Sequence, residues 1–341
     1  MDSIVQSNVG IIAHGDADGI CSAAIIKSLH PGATILFSKA SQLHKSIKSI
    51  EKNVKTLDSL YIVDVAINPK NQEFVLDRLR KIKEKYEIFY IDNHLLPSSI
   101  QDKKLTNYVD TYIKRTDWSS SALTFSHFFG SEKEAIIKNR NLAFLAAYGV
   151  ISDYARTCSF LISVFDLFDE SNINYQAFML KQACRIIQSD NLKRTIADKL
   201  SVGILPSEIF EVLEAAREAS REVDMAIRFI KLHAKKHGEI GIIFECPVAS
   251  MGHNSFLAAS MTGSVVGVAI RRRGGDAHFV LRKRHGEKIH LGHVAGKVAS
   301  KFECDGGGEN ATAGITASDV NIPDILEEIN LQVSDYLQNE K

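Results

Sequence analysis

The sequence lacks the features of a membrane protein, a secreted disulfide-rich protein and a zinc finger. No apolar run approaches the roughly 18 residues that a membrane-spanning helix needs. The five cysteines lie far apart and form no CxxC pair, which excludes a disulfide framework or zinc knuckle and is typical of a reducing cytoplasm. The N-terminal segment MDSIVQSNVG has neither a basic stretch nor an apolar core, so we expect no signal peptide. These absences predict a cytoplasmic protein.

Net charge is also absent, because 41 Lys and Arg residues balance 41 Asp and Glu residues. Overall charge therefore gives no indication of a nucleic-acid partner, and any such partner has to be inferred from local charge. Hydrophobic residues make up 45% and charged residues 24% of the 341 positions, as in ordinary globular proteins. A chain of this length is expected to form about two domains.

Three segments differ in their hydrophobic pattern. Residues 1–160 alternate β-rich runs with helical spacing, which predicts an α/β domain with a mainly parallel sheet and ligand sites at the carboxyl ends of its strands. Residues 161–237 show helical spacing without strand signals and predict either a helical connector or a helical part of the first domain. Residues 238–341 predict a smaller α/β domain.

Individual elements follow from the same patterns. Strands are predicted at Val9–Ala13, Ala33–Phe37, Leu60–Val63, Ile88–Ile91, near Tyr108–Val109 and at Ile240–Phe244, and a hairpin is predicted from Val265–Arg271 and Ala277–Arg284 around Gly274–Asp276. Helices are predicted at Ser22–Leu29, Asn71–Tyr86, Leu142–Val150, Ser255–Met261 and Ile322–Leu337, with a helix start at Pro206–Glu208 and a glycine-rich turn at Gly306–Gly308.

Aspartates follow several of the predicted strands of the first segment. Asp16 and Asp18 follow the first strand, Asp64 follows the third, Asp92–His94 follows the fourth, and Asp153 lies at the end of an apolar helix. One aspartate in such a place commonly caps a helix, but clustered carboxylates repel one another and raise one another's pKa. Mg²⁺ and Mn²⁺ favour carboxylate oxygens, and a pair of such ions can activate a water for displacement at phosphorus.

Four segments resemble, in order, the motifs of the DHH phosphoesterase superfamily. They are HGDADG, VDVA around Asp64, IDNH, and GVISDYA around Asp153. GGGENATAG at Gly306–Gly314 resembles the GGGH-type motif of the DHH-associated C-terminal domain. The HxDxDG form and the helical connector look most like archaeal RecJ-type proteins, which implies a single-strand exonuclease.

The resemblance implies a pair of Mn²⁺ or Mg²⁺ ions held by the first domain. His14 and Asp16 would bind one metal, Asp18 and Asp153 the other, and Asp64 would bridge the two. Asp64 and Asp18 would thereby also belong to the catalytic set.

Two positions depart from the family pattern. The IDNH motif has Asn93 where the family has a histidine ligand, and its amide oxygen is a weaker ligand for Mn²⁺ than imidazole. His94 keeps the position that faces the scissile phosphate, and Asp92 is expected to orient a neighbour. Glu309 replaces the histidine of the GGGH-type motif, and its carboxylate would repel a substrate phosphate.

The C-terminal segment contains the candidate substrate-binding residues. A hairpin that brings Arg271–Arg273 close to Arg282–His285 would form a positive patch for a phosphodiester backbone. Strand alternation predicts that Arg282 and Arg284 share a face. Gly306, Gly307 and Gly308 would offer backbone N–H groups to a phosphate, and the resemblance implies that this motif, with Glu309, binds the nucleotide beyond the scissile bond.

Three functions are compatible with the sequence. The leading hypothesis is a metal-dependent exonuclease on single-stranded DNA or RNA. A second hypothesis keeps the chemistry but acts on short oligoribonucleotides or cyclic dinucleotides. The third is a weakly active, RecJ-like scaffold that binds GINS in the replicative helicase complex. Retention of Asp16, Asp18, Asp64 and Asp153 favours an enzyme, since an idle site has no physical reason to keep these carboxylates together.

Overall fold

A computed structural model describes residues 8–54, 57–97, 99–100, 102–155, 157–248, 250–308 and 310–339 of the chain. The chain divides into two compact units, residues 1–217 and 218–341. Each unit contains a sheet and flanking helices, which confirms the predicted α/β class. No helix in the described ranges is long and apolar enough to cross a membrane, and all five cysteines are free thiols.

A five-stranded parallel sheet forms the centre of the first unit. Its strands are β1 (Val9–Ala13), β2 (Thr34–Phe37), β3 (Ser59–Val63), β4 (Glu87–Ile91) and β5 (Thr111–Ile113), in the spatial order β2-β1-β3-β4-β5. The strand predicted near Tyr108–Val109 is wrong by a few residues, because Tyr108 N–H donates to the Leu105 carbonyl in a turn and pairing with β4 begins at Thr111.

Helices cover both faces of this sheet. The helices of this unit are α1 (Ala17–Leu29), α2 (Leu43–Asn53), α3 (Gln72–Lys83), α4 (Asp102–Leu105), α5 (Ser120–Phe129), α6 (Lys133–Lys138), α7 (Arg140–Ser152), α8 (Ser159–Leu167), α9 (Glu170–Ile186) and α10 (Asp190–Ser201). A further helix, α11 (Phe210–His233), begins in this unit and continues beyond its last residue, Arg217. One core packs α2 and α3 on the sheet, and the other contains α1, α5 and α7. Leu161, Leu180 and Ile196 of α8, α9 and α10 are buried in this second core. Pro206–Glu208 is a short 3-10 helix before α11.

A six-stranded mixed sheet forms the second unit. Its strands are β6 (Lys235–His237), β7 (Ile240–Phe244), β8 (Val266–Arg273), β9 (Asp276–Lys283), β10 (Asp305–Gly308) and β11 (Thr312–Ser318), in the order β10-β11-β9-β8-β7-β6, and its helices are α12 (Met251–Thr262), α13 (Leu291–Lys301) and α14 (Ile322–Asn339). The predicted hairpin of β8 and β9 is confirmed. Its turn uses Gly274 and Gly275, whose φ angles of 62° and 88° suit glycine.

The glycine-rich segment differs from its prediction. Gly306–Gly308 is part of β10 and pairs antiparallel with β11, so it is a strand and not a turn. Close packing of α13 on this strand accounts for Gly306, because a methyl group there would lie 2.7 Å from Ala299 Cβ, whereas a methyl group on Gly307 would meet open space. Gly306 thus marks a close approach of a helix to the strand, as glycine does in some strands.

Candidate metal centre

The carboxyl edge of the parallel sheet fixes three of the candidate side chains. His14, Asp64 and Asp92 directly follow β1, β3 and β4. Their backbone N–H groups extend the sheet by donating to Val63, Ile91 and Ile113 carbonyl oxygens at 3.3, 3.0 and 3.1 Å, respectively. Because parallel strands end at one edge, these side chains come from distant segments to the same place.

Helix α1 places two further aspartates beside this edge. Asp16 caps the helix, and its Oδ1 accepts a hydrogen bond from Gly19 N–H at 3.1 Å. Asp18 lies in the first turn and is fully buried. Gly19 permits this start, since a methyl group there would lie 2.2 Å from the His14 carbonyl oxygen.

The Asp18 carboxylate accepts hydrogen bonds from the N-terminus of α5. Ser120 N–H donates to Oδ2 at 2.8 Å and Ser121 N–H donates to Oδ1 at 3.1 Å, an arrangement that the helix dipole favours. Burial nevertheless raises the pKa of Asp18, the hydrogen bonds from Ser121 lower it, and the nearby charge of Asp16 raises it, with a net result of about 6. The local hydrogen bonds only partly compensate for removal from water.

Asp64 is the least satisfied of the aspartates. Its side chain is 2% exposed, Oδ1 accepts from the Ser120 hydroxyl at 3.2 Å, and Oδ2 has no hydrogen-bond partner among the described residues. Burial raises its pKa well above the usual value, and the charges of Asp18 and Asp16 add to this effect. The residue also adopts a left-handed backbone with φ of 58°, a conformation that costs roughly 1–3 kcal/mol and is frequent at functional sites.

His14 links Asp16 to Asp64. Its Nδ1 lies 2.8 Å from Asp16 Oδ2 and 3.8 Å from Asp64 Oδ2. Burial alone would raise the pKa of Asp16, but the hydrogen bond and charge of His14 lower it to about 2. Asp16 is therefore an anion under all ordinary conditions.

Asp153 closes the cluster from the C-terminal cap of α7. Although the residue as a whole is exposed, its carboxyl group lies among protein atoms. This loss of hydration, together with repulsion by Asp18 and Asp16, raises its pKa to about 9. Four carboxyl groups thus converge, and burial together with their mutual repulsion raises the pKa of three of them, Asp18, Asp64 and Asp153.

The IDNH segment places its polar side chains on the other side of Asp64. Asp92 is buried, and its Oδ1 lies 2.8 Å from Nδ1 of the exposed His94. This hydrogen bond raises the pKa of His94 to about 9 despite partial desolvation, so the imidazole is protonated at neutral pH. Asn93 Oδ1 accepts from the Ser120 hydroxyl at 3.0 Å. This hydroxyl also contacts Asp64, so its single hydrogen is shared between Asn93 and Asp64.

Three groups of side chains have donor atoms close enough to surround one cation. They are His14, Asp16 and Asp64; Asp18, Asp64 and Asp153; and Asp64, Asp92 and His94, with ligand atoms within 4.8 Å of one another in each group. Asp64 belongs to all three groups. The unpartnered Asp64 oxygen and the carboxyl groups with raised pKa are the donors that hard divalent cations prefer, so these residues fit a metal.

The candidate substrate residues of the second unit lie on neighbouring strands. Arg282 lies near the end of β9 opposite Gly267 and Thr312, and Gly306–Gly308 forms β10. Arg284 donates to Glu287 at 3.0 Å. The Nε atoms of Arg282 and Arg284 are buried without a hydrogen-bond partner in the described ranges. Glu309 lies outside the described residues.

The predicted arginine patch of the hairpin is wrong. Arg271–Arg273 pair with His278–Asp276 next to the turn, whereas Arg282 pairs with Gly267 towards the opposite end of the hairpin. The short turn directly follows Arg273, so Arg271–Arg273 pair with the first residues of β9. Arg282 lies near the other end of β9, and the two basic runs are therefore far apart.

Two serines of the site were missed by the sequence analysis. Ser120 and Ser121 contact Asp18, Asp64 and Asn93 from the start of α5. The available signal was Ser119, a typical N-cap before an apolar run, whose side chain accepts from Ala122 N–H. It predicts a helix start but not the carboxylate that the helix start binds.

Comparison with known proteins identifies a family match and a shared fold. Residues 8–150 match the DHH family, N-terminal domain, whereas no curated protein matches the sequence. Among 39 matching solved chains, a DHH domain described as a member of a family of ribosomal proteins has a TM-score of 0.72 at 14% identity, over 96% of this chain and 87% of that chain.

Two further solved structures share the fold at low identity. Exonuclease RecJ bound to manganese has a TM-score of 0.61 at 13% identity, over 96% of this chain and 90% of that chain. A pGpG-specific phosphodiesterase from Vibrio cholerae has a TM-score of 0.55 at 12% identity, over 96% and 99% of the two chains, respectively. The chain is therefore similar in fold to these three proteins over nearly its whole length, and its residues 8–150 match the DHH family, N-terminal domain.

Proposed function

We propose that the protein is a divalent-metal-dependent phosphodiesterase that acts on single-stranded DNA or RNA. The observation that supports this most is the convergence of Asp16, Asp18, Asp64 and Asp153, with one buried Asp64 oxygen left without a partner among the described residues. In the absence of a cation this arrangement is unfavourable, because buried like charges disfavour one another. A phosphodiesterase site with two metals gives it a chemical reason.

The ligand assignment follows two of the three groups that share Asp64. His14 and Asp16 would hold one Mn²⁺ or Mg²⁺, Asp18 and Asp153 the other, and Asp64 both. When bound, such a pair supplies activation of water and stabilisation of charge during displacement at phosphorus. Asn93 is close to this set through Ser120 and would complete it only as a weak amide ligand.

His94 would act on the phosphate itself. Its Nδ1 is engaged by Asp92, so Nε2 is the nitrogen left to face a substrate. Because the pKa of His94 is about 9, the ring is a cation at neutral pH and its Nε2–H can donate to a phosphoryl oxygen as negative charge develops there. Asp92 would thus orient His94 and keep it charged.

The second unit would bind the rest of the nucleic acid. Arg282 and Arg284 each have an Nε that lacks a partner in the described part of the chain, and arginine is well suited to phosphate. Gly306–Gly308 would allow a nucleotide to approach the backbone of β10 closely. Preference for single strands and cleavage from an end are supported by the resemblance to RecJ.

End-labelled single-stranded DNA and RNA test this proposal directly. We expect Mn²⁺-dependent products, resolved at single nucleotides, that disappear with EDTA and with Asp64→Asn. Asp77→Asn is the matched control, because Asp77 is an exposed residue on α3 whose carboxylate contacts Lys81. Equal loss of activity in both variants would contradict the assigned role of Asp64.

A second candidate substrate is a short oligonucleotide or a dinucleotide. It is favoured by the division of the hairpin arginines into two separate groups, which removes the continuous basic surface expected for a long strand. Cleavage of only two- to five-nucleotide substrates, with longer strands left intact, would select this candidate. A folded protein that binds no Mn²⁺ and cleaves neither class would leave the scaffold role.

A further inference from the structure

Helix α10 places a lysine against the loop that contains His14 and Asp16. A methyl group on Gly15 would lie 2.5 Å from Lys193 Nζ and 3.5 Å from its Cδ and Cε. The ammonium therefore occupies the space that a side chain at position 15 would fill. Gly15 and Lys193 are far apart in sequence, and only the packing of α10 beside α1 brings them together.

Lys193 has no acceptor for its charge among the residues that the structure describes. Its Nζ makes neither a hydrogen bond nor an ion pair with any described residue. It lies 6.0 Å from the centre of the Phe37 ring and near the partly buried Cys184, whose thiol is neutral at pH 7 because desolvation raises its pKa to about 12. The two other cations of the same helix are both engaged: Arg194 with Asn191 and the Ile35 carbonyl, and Lys199 with Glu211 at 2.9 Å. A partly buried ammonium without a partner is unusual in a stable fold.

A role in neutralising the carboxylates does not explain this lysine. No carboxylate oxygen of the described residues lies within 4.0 Å of its Nζ, although Asp16 is next to Gly15 in sequence. With two divalent cations bound, the four aspartates would be neutralised in full. The ammonium of Lys193 would then leave this side of the site positively charged, which favours an anionic ligand.

We infer that Lys193 is a substrate-binding residue that donates to a phosphate oxygen beside the His14–Asp16 loop. The inference rests on the proposed function for the location of the phosphate. Lysine serves well here because its ammonium is a point charge on a flexible stem that can follow a phosphate. The helical segment that follows the DHH domain would in this way contribute directly to the site.

Binding of inorganic phosphate to the Mn²⁺-loaded protein tests this inference. Isothermal titration calorimetry is carried out on the wild type, Lys193→Ala, Lys193→Arg and Lys199→Ala, the last being a lysine of the same helix outside the site. Loss of one charged hydrogen bond is expected to weaken phosphate binding by roughly 10- to 100-fold in Lys193→Ala. Lys193→Arg is expected to recover part of this loss, and Lys199→Ala to bind as the wild type does.

Mn²⁺ affinity provides the second measurement. Lys193→Ala is expected to bind Mn²⁺ no more weakly than the wild type, because the substitution removes a positive charge near the metals. A drop in phosphate binding then cannot be ascribed to loss of metal. If Lys193→Ala does not fold, Lys193→Gln keeps the stem and removes the charge, and the same results are expected for it.

The outcomes separate this inference from the proposed function. Phosphate binding that is absent in the wild type, or equal in Lys193→Ala and Lys199→Ala, overturns the role of Lys193 even if the protein cleaves phosphodiesters. Phosphate binding that depends on Lys193 in a protein that cleaves no phosphodiester supports Lys193 and overturns the proposed activity. A KM raised in parallel with the loss of phosphate binding supports both.

Discussion

Replacement of Asp64 by asparagine is predicted to stabilise the protein in the absence of metal. The substitution keeps the shape of the side chain and suits the left-handed backbone at φ of 58°, since asparagine is one of the few residues that adopt it readily. It removes a buried carboxylate whose Oδ2 has no partner among the described residues. The new amide can donate to the neighbouring carboxylates of Asp18 and Asp16.

The size of the effect follows from this unsatisfied group. A buried polar atom without a partner costs about 1–3 kcal/mol, so the free energy of unfolding should rise by about that amount in EDTA. For a unit of about 200 residues, each kcal/mol corresponds to a change in Tm of about 2–4 °C. Metal reverses the order, because Mn²⁺ at about 100 times its Kd adds roughly 2.7 kcal/mol to the wild type, and Asp64→Asn lacks the ligand common to both ions.

Differential scanning calorimetry measures both the stabilisation in EDTA and its reversal in Mn²⁺. The proteins compared are the wild type, Asp64→Asn and Asp77→Asn, each with EDTA and with Mn²⁺. Asp77→Asn should change little in either condition, because Asp77 lies on the surface. A lower Tm for Asp64→Asn in EDTA as well as in Mn²⁺ would refute the reasoning. It would mean that the Asp64 carboxylate stabilises the fold and is not held in place for a cation.

Three further predictions concern titration and packing. Burial raises the pKa of Asp18 from 3.8 to about 6, so the folded protein binds this proton more tightly than the unfolded chain does. The free energy of unfolding in EDTA should therefore fall by on the order of 2 kcal/mol between pH 4 and 6, and a flat profile in urea unfolding would contradict this. NMR titration of His94 in EDTA should give a pKa near 9 in the wild type and a lower pKa, closer to 6.5, in Asp92→Asn. The reason is that the hydrogen bond to Asp92 is the main cause of the raised pKa. An unchanged pKa in Asp92→Asn would exclude that cause. Gly149→Ala should lower both Tm and Mn²⁺ affinity, since its methyl group would lie 2.1 Å from Asp18 Oδ1 and overpacking typically costs about 1–3 kcal/mol. Gly296→Ala in α13, where the added methyl has open space, is the control and should be neutral or slightly stabilising.

The central strands were predictable because their apolar runs are buried on both faces. Val9–Ala13 has the bounds that its sequence predicted, and Ser59–Val63 and Glu87–Ile91 each begin one residue earlier than predicted. Helix α1 begins at Ala17, five residues before the predicted start, because buried small residues and Gly19 hide the helical spacing. Periodicity identifies an element reliably only where polar residues mark its exposed side.

The errors arose where a local pattern has more than one structural meaning. Val109 is buried and β-branched yet lies in the irregular segment between a turn and β5. The run Gly306–Gly308 is compatible with a turn, but its antiparallel pairing with β11 makes it a strand. Arginines at both ends of a hairpin sequence are brought together only if the turn lies midway between them, and here it adjoins Arg273.

The sequence by itself determined the parallel sheet of the first unit and the residues at its carboxyl edge, because apolar runs that each end in a polar residue have few other solutions. The tertiary structure decided which carboxyl groups are buried together, which oxygen of Asp64 lacks a partner among the described residues, and how Ser120 and Lys193 enter the site. Those properties depend on contacts between segments far apart in the chain. Since burial and Coulomb interactions set the pKa values and the affinity for a cation, the chemistry of the site is a property of that packing.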